Sequence, residues 1–381
     1  MGGIVTTLKK VRPNERIRAF LDSVSWFIRP HNTDWRYVRF SLPVLGAFDH
    51  RIEVHVQSSW QTAFSENAKY VKRSVQIRLG VLDAEAHEVY LDRKELGWSR
   101  CNLVFSHRGF PVNADPYPVV WQNSILDPEM TAYYLPHISI EREKAVKGPL
   151  FARCAVVHVS TQAEVDRLER TFPTLAGRFF GAPFFVPNAK AAPPNILAKH
   201  ADARDIEILF VGDQARRKGL DVLVEGFRRL SPRIRSRAKL TIVSRQTDGP
   251  VTIPEDERIE VFFGLPHGAV LERMRRAHIL AVPSRFESYG LVFLEAMSQG
   301  TVPVAPNWEV QREILDFGRA GSLVQAGNAE ALRETLEHLV DDDIQRSILA
   351  RNAVERFDAN YSPRQVAGRF YEMFQLATAR A

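Results

Sequence analysis

The sequence predicts an α/β protein of two doubly wound domains, and three observations carry that reading. The chain has 381 residues, more than one core readily serves at roughly 100–200 residues per domain. Short β-rich apolar runs alternate with helical stretches along most of it, the pattern of parallel sheets covered on both faces. Between the halves, Ala189-Lys190-Ala191-Ala192-Pro193-Pro194 reads as a linker of small residues and prolines. The expected domains are residues 1–190, with a basic N-terminal extension, and residues 191–362, followed by a last helix within 363–381.

Taken in order, Pro13 can open a helix in which Ile17, Phe20, Leu21, Val24 and Ile28 recur at helical spacing. Strands are expected at Tyr37 to Leu42, Ile52 to Val56, Val75 to Leu79, Asn102 to Phe105, Pro118 to Trp121 and Ala155 to Val159, and a helix from Thr161 to Phe172. In the second half the strands are Ile206 to Val211, Leu240 to Val243, Arg258 to Phe263, Ile279 to Val282 and Val302 to Ala305. The intervening helices are Gly219 to Leu230, His267 to Arg276, Tyr289 to Gln299 and Ala329 to Leu339, with Pro363 to Ala379 last. Asp341-Asp342-Asp343 reads as a charge cluster at the start of a late helix. In doubly wound sheets ligands sit beyond the carboxyl ends of the strands, so function is sought in the loops that follow them.

Composition narrows the classes. With 45% hydrophobic and 25% charged residues the chain is neither collagen-like nor low-complexity. A net charge of +6 favours an anionic partner, but no basic run or reader motif points to nucleic acid. Cys101 and Cys154 form no CxxC pair and read as core residues of a reducing compartment. No apolar stretch reaches the roughly 18–20 residues of a membrane span or forms a secretory signal, so a cytoplasmic protein is expected. The basic residues among 1–35 leave peripheral contact with an anionic membrane as one use of that segment and packing on the domain behind it as the other. Histidines show no HExxH or paired metal spacing and no strand-end DxD is present, so no bound metal and no cofactor are expected.

The densest chemistry lies in Pro283-Ser284-Arg285-Phe286-Glu287-Ser288-Tyr289-Gly290-Leu291-Val292-Phe293-Leu294-Glu295, a strand end running through a tight loop into a helix. Ser288 or its neighbour can cap that helix, Gly290 lets backbone approach a ligand, and the amides at the helix start can hold a diphosphate. Glu287 and Glu295 can face one nucleotide-sugar from different ends, Glu295 towards a ribose diol and Glu287 towards the transferred sugar. By themselves the two acids also fit an exposed loop and a solvated helix face. A second segment, Val211-Gly212-Asp213-Gln214-Ala215-Arg216-Arg217-Lys218-Gly219, places cations after a strand and a glycine. Arg217 and Lys218 can offset charge on a leaving diphosphate, or form a solvated basic loop.

The first segment, with Leu294-Glu295-Ala296-Met297 and Gly300-Thr301-Val302-Pro303-Val304 behind it, closely resembles the Glu-x7-Glu signature of retaining GT-B glycosyltransferases of family 4. The resemblance is specific over residues 200–340 and looser over 100–190. It implies two Rossmann-like domains with parallel sheets facing across a cleft, with the last helix crossing back to the first domain. In such enzymes a lysine before glycine, here Lys218, binds the donor diphosphate, and some members place arginine just before it, as Arg217 stands here. Many carry arginine directly after the first glycine, where this chain has Asp213.

Val261-Phe262-Phe263-Gly264-Leu265-Pro266 resembles the strand and turn whose backbone reads the base, and Ser244 and Arg245 are candidates for the same pocket. The resemblance thus implies Glu287, Lys218 and Arg217 as catalytic residues. Donor binding falls to Ser288, Tyr289, Gly290, Leu291, Glu295, Gly212, Phe263, Gly264 and Leu265. On the acceptor side, His107 follows a matching strand and Asn123 stands where a histidine is usual. The usual glycine pair after the first strand is missing, and Gly46 is a poor substitute.

The activity implied is metal-independent, retaining transfer of a hexose-type sugar from a UDP- or GDP-linked donor to an acceptor hydroxyl on a saccharide, a lipid-linked sugar or a protein, as in cell-surface polysaccharide or glycolipid synthesis. The nucleotide-sugar is then a substrate and not a cofactor. The alternative is a catalytically silent nucleotide-sugar-binding scaffold of the same fold.

Overall fold

The structure, a computed structural model, describes residues 16–21, 42–56, 87–89, 100–107, 109–186, 195–201, 203–245, 251 and 253–380. It divides into two compact units. The first holds the described residues up to Leu126, those from Pro136 to 186 and those from Pro363 onward. The second holds Asp127–Leu135 and the described residues from 195 to Ser362. Residues 127–135 cluster with the second unit, which the expected boundary near 190 did not foresee, and the last helix clusters with the first, as expected.

The first unit is built on strands β1 (Ile17–Leu21), β2 (Ile52–Val56), β3 (His87–Val89), β4 (Leu103–His107), β5 (Gly109–Pro111), β6 (Val119–Gln122), β7 (Val156–Val159) and β8 (Phe179–Gly181). Six of them form a parallel sheet in the order β2-β1-β4-β6-β7-β8, and β3 pairs with β5. Side chains alternate across this sheet as strand geometry requires. Leu103, Phe105, Val120 and Val156 enter one core, and Val104, Trp121 and Val157 the other.

The first core is closed by the helix Pro363–Ala379, whose Phe370 and Phe374 rings lie 6.0 and 5.9 Å from Phe105. The second is aromatic, with Trp121 between Phe110 at 5.4 Å and Phe151 at 5.5 Å. Cys101 and Cys154 are buried there as thiols not joined in a disulfide. Arg167 on the helix Gln162–Thr171 donates to Ile125 O at 3.1 Å, fixing the loop after β6.

The expected helix from Pro13 is overturned at Ile17–Leu21, which is strand β1, paired on both sides with β2 and β4. A run of five residues is too short for periodicity to separate helix from strand, and a ladder on each side satisfies its backbone groups. Val24, Ile28, residues 37–41 of the expected strand Tyr37 to Leu42, the expected strand at 75–79 and the expected linker at 189–194 lie outside the described residues, and Leu42 itself opens the 3-10 helix Leu42–Ala47. The aspartate cluster straddles two helices: Asp341 ends Ala329–Asp341, and Asp342 caps Asp343–Arg356 by accepting from Gln345 N at 2.8 Å. Among the described residues no helix is long and apolar enough to cross a membrane.

His158 on β7 is fully buried, with its Nε2–H donating to Ala182 O at 2.8 Å and the Phe370 ring 5.1 Å away. Burial pushes its pKa down from 6.5 to about 4. Below pH 6.5 the unfolded chain takes up a proton that the fold refuses, so this contribution is whole above 6.5 and lost as pH falls through 4. It amounts to about 3 kcal/mol. Denaturant titrations from pH 7 to 4 are expected to show that loss in the native protein and a flatter profile in His158→Gln.

The second unit carries β9 (Ile206–Val211), β10 (Ala238–Ser244), β11 (Ile259–Phe263), β12 (Ile279–Ala281), β13 (Val302–Pro306) and β14 (Ser322–Val324). All are parallel, in the order β11-β10-β9-β12-β13-β14. Consecutive strands run outward from β9 in one direction and then restart beside it with β12. The gap beyond the carboxyl ends of β9 and β12 is the switch point at which such sheets bind ligands. Lys199 knits the base of this unit, donating to Arg275 O and Gln299 O at 3.0 Å and to Thr301 Oγ1 at 2.9 Å. It thereby serves carbonyls near the ends of the helices His267–Arg276 and Leu291–Ser298.

Candidate active site at the switch point of the second sheet

The loops leaving β9 and β12 are in backbone contact. Gly219 closes the first at φ +75, and a Cβ there would lie 2.2 Å from Pro283 O of the second. At Gly212 a Cβ would meet Lys218 Cγ at 3.1 Å, so this glycine makes room for the lysine stem. Gly290, at φ +89, is the N-cap of Leu291–Ser298, and no side chain caps that helix. The expected serine cap is thus corrected: Ser288 is exposed, and the helix starts two residues later than Tyr289. A start without a side-chain cap leaves its amides to serve an anion. Tyr289 is buried and Leu291 half-buried.

Lys218 and Glu287 meet across the two loops. Lys218 Nζ donates to Glu287 Oε2, and Ser284 Oγ reaches the same oxygen at 3.3 Å. Glu287 is only 5% exposed. Burial pushes the Lys218 pKa down, and the Glu287 carboxylate opposes that shift without cancelling it. Arg217 donates from Nη1 to Phe286 O at 2.8 Å and from Nε to Gln214 Oε1. Behind the loop, buried Gln311 donates to Tyr289 O at 2.7 Å and Glu287 O at 3.4 Å. The Glu287 amide meets Met130 Sδ at 3.4 Å, from the helix Pro128–Tyr134.

Residues 195–356 match the family model Glycosyl transferases group 1. The chain carries a group 1 glycosyltransferase domain. It is 27% identical over 256 residues to the D-inositol 3-phosphate glycosyltransferase of Corynebacterium efficiens, covering 62% of this chain and 60% of that protein. Over 103 residues it is 36% identical to the phosphatidyl-myo-inositol mannosyltransferase of Mycobacterium leprae, 26% of this chain and 27% of that one. The chain thus spans about three-fifths or less of the length of these curated relatives.

Among solved structures, sucrose-phosphate synthase from Thermosynechococcus elongatus superposes with a TM-score of 0.66 at 16% identity, over 96% of this chain and 100% of that one. HepE of Anabaena, solved in complex with UDP-glucose, gives 0.59 at 15% identity over 94% and 99%. The fold is therefore that of the GT-B glycosyltransferases, with two parallel-sheet Rossmann-like domains.

Within the group 1 domain the remaining sequence-predicted residues spread along the strand ends. Phe263 ends β11 with 59% of its surface exposed, followed by Gly264 at φ +66 and half-buried Leu265. Gly264 N donates to Ser244 O at 3.0 Å, which sets this turn beside the end of β10. Glu295 accepts from His267 Nε2 at 2.9 Å, with the carboxylate 16% exposed. Asp213 accepts from Arg245 N at 2.9 Å and Nε at 2.7 Å. This acid is thus joined to an arginine that follows the next strand.

Sequence reasoning missed Gln311, His267 and the Asp213–Arg245 pairing. Each depends on a partner from another element, which no local spacing signals.

In the first unit, His107 ends β4 and donates from Nδ1 to Gln122 Oε1 at 2.7 Å, its register partner on β6. Asn123 follows β6 directly, half-buried, with its amide donating to His158 O at 3.3 Å. The two residues expected on the acceptor side therefore leave neighbouring strands of one sheet. Gly46 has a packing task, since a Cβ there would lie 2.6 Å from Ile52 O.

Proposed function

We propose that the protein is a retaining glycosyltransferase that moves a hexose-type sugar from a UDP- or GDP-linked donor to an acceptor hydroxyl. The observation that carries this reading is the meeting of Lys218 with Glu287 at the switch point, next to a helix start that no side chain caps. Lys218, Arg217 and the amides after Gly290 stabilise the departing diphosphate, whose oxygen takes the acceptor proton on the same face of the sugar. Glu287 orients the sugar, Glu295 holds the ribose, and Phe263, Gly264 and Leu265 frame the base. The leaving charge is met by side-chain cations and amides, and no metal is assigned a part.

The UDP-glucose complex of HepE supports a UDP-linked donor. The inositol-based relatives support a polyol or lipid-linked acceptor. Such an acceptor suits a cytoplasmic enzyme whose basic N-terminal segment meets an anionic membrane.

Thermal shift against a panel of nucleotide-sugars tests the reading. A donor at 100 times its Kd is expected to stabilise the protein by about 2.7 kcal/mol, and the stabilising donor should then be hydrolysed or transferred. No shift with any donor overturns the proposal. A second reading, a silent donor-binding scaffold, is favoured by the lack of any glycine between residues 22 and 41, after β1. Stabilisation without turnover would select it.

A further inference from the structure

Arg285 stands between Ser284 and Glu287 in the chain, yet its bonds run to the loop after β9 and the helix that follows it, with a further side-chain bond to Tyr133. Its backbone N–H donates to Arg217 O at 2.8 Å. Its Nη1 donates to Arg216 O at 2.8 Å and to Asp221 Oδ1 at 2.7 Å, and its Nη2 to Asp221 Oδ2 at 2.8 Å. The last two make a fork-on-fork pair, which fixes distance and orientation as a single bond cannot. Asp221 is in the first turn of Leu220–Arg228, where the helix dipole favours a carboxylate. The side chains are 20% and 38% exposed, so the pair is shielded but not sealed. Residues 216 and 217, directly before Lys218, and residue 285, two before Glu287, are thereby bolted together.

We infer that Arg285 and Asp221 form a positioning pair that sets the gap between Lys218 and Glu287 and so registers the departing diphosphate against its cation. The inference rests on the function proposed above. Neither residue needs to touch the donor. Base and ribose contacts, at Phe263 and Glu295, lie on other elements and are untouched when the pair is lost. The chemical step should therefore suffer while donor binding persists, because a small displacement of a charge-stabilising group costs rate steeply.

The test compares Arg285→Lys, which keeps the charge and loses the fork, with Asp221→Asn, the double variant and Lys218→Ala. The readouts are kcat and donor KM for donor turnover, with UDP and GDP binding by calorimetry. Both single variants are expected to lose about tenfold or more in kcat with donor KM and nucleotide Kd changed less than about threefold. The double variant should be no worse than either single one. An unchanged kcat, additive losses, or a rise in KM in place of the fall in kcat overturns the positioning role. If Lys218→Ala is inactive while Arg285→Lys behaves as the native protein, only the positioning pair fails. A native protein that turns over no nucleotide-sugar overturns both readings.

Discussion

Lys218→Ala is expected to lower sugar transfer roughly a hundredfold or more while the far-UV circular dichroism stays native, because one charge-stabilising donor in a water-poor site is worth about that factor. The lysine is held by Glu287, whose carboxylate Ser284 also reaches, while the neighbouring Arg217 charge opposes its protonation. Its removal leaves a buried carboxylate without its cation, an arrangement that costs stability. Lys218→Ala combined with Glu287→Gln should therefore be more stable than Lys218→Ala alone and no more active. Since burial pushes the Lys218 pKa down, its charge is lost on raising pH earlier than from a free lysine. The kcat/KM of the native enzyme, which reports the free protein's ionisations, should fall on the alkaline side below the ordinary lysine value of about 10.4. Near-normal turnover of Lys218→Ala in a purified, folded sample would remove the lysine from the mechanism.

Gly219→Ala should be the most damaging single methyl in the second unit. The new Cβ would lie 2.2 Å from Pro283 O and 2.9 Å from its carbonyl carbon, at a φ of +75. The left-handed conformation alone costs roughly 1–2 kcal/mol with a Cβ, and backbone atoms cannot swing aside as a side chain could. A total loss of about 3 kcal/mol or more is expected, seen as a fall in Tm of roughly 6–12 °C. Transfer should be abolished with it, because the loops carrying Lys218 and Glu287 are forced apart. Gly268→Ala is the control. That glycine lies in His267–Arg276 with nothing within 4 Å of an added Cβ, so the variant should match or slightly exceed the native Tm. Equal Tm values for the two variants would refute the close approach.

What could be read from the chain follows the range of the interactions involved. Strands β2, β9 and β13 and the helices His267–Arg276 and Pro363–Ala379 are long or apolar enough to declare themselves locally. The candidate site was legible where residues cluster locally: Gly212, Lys218, Glu287 and Gly290 belong to one of two loops, and Glu295 to the helix that follows the second. Arg285 with Asp221, 64 residues away, and Asp213 with Arg245, 32 away, were not legible, because either member alone is an ordinary surface charge.

Strands β8 and β14, three residues each, carry too little pattern to separate from coil. The helix Pro128–Tyr134 is different, since its signal was present. Asp127 accepts from Glu129 N at 2.9 Å ahead of Pro128, a cap and first-turn proline that the sequence displays openly.

The last helix bears on how the protein is made. Val366, Ala367, Phe370, Tyr371, Met373, Phe374 and Ala377 belong to the same core as Ala19, Leu45 and Ile52. On the ribosome, the opening strands must wait for residues synthesised more than 300 positions later before their apolar face is covered. The second unit, whose sheet needs nothing beyond Ser362, can be complete first, inverting the usual N-to-C order of nascent-chain folding. A chaperone that shields exposed aliphatic surface during translation would find its client in the early half of this polypeptide.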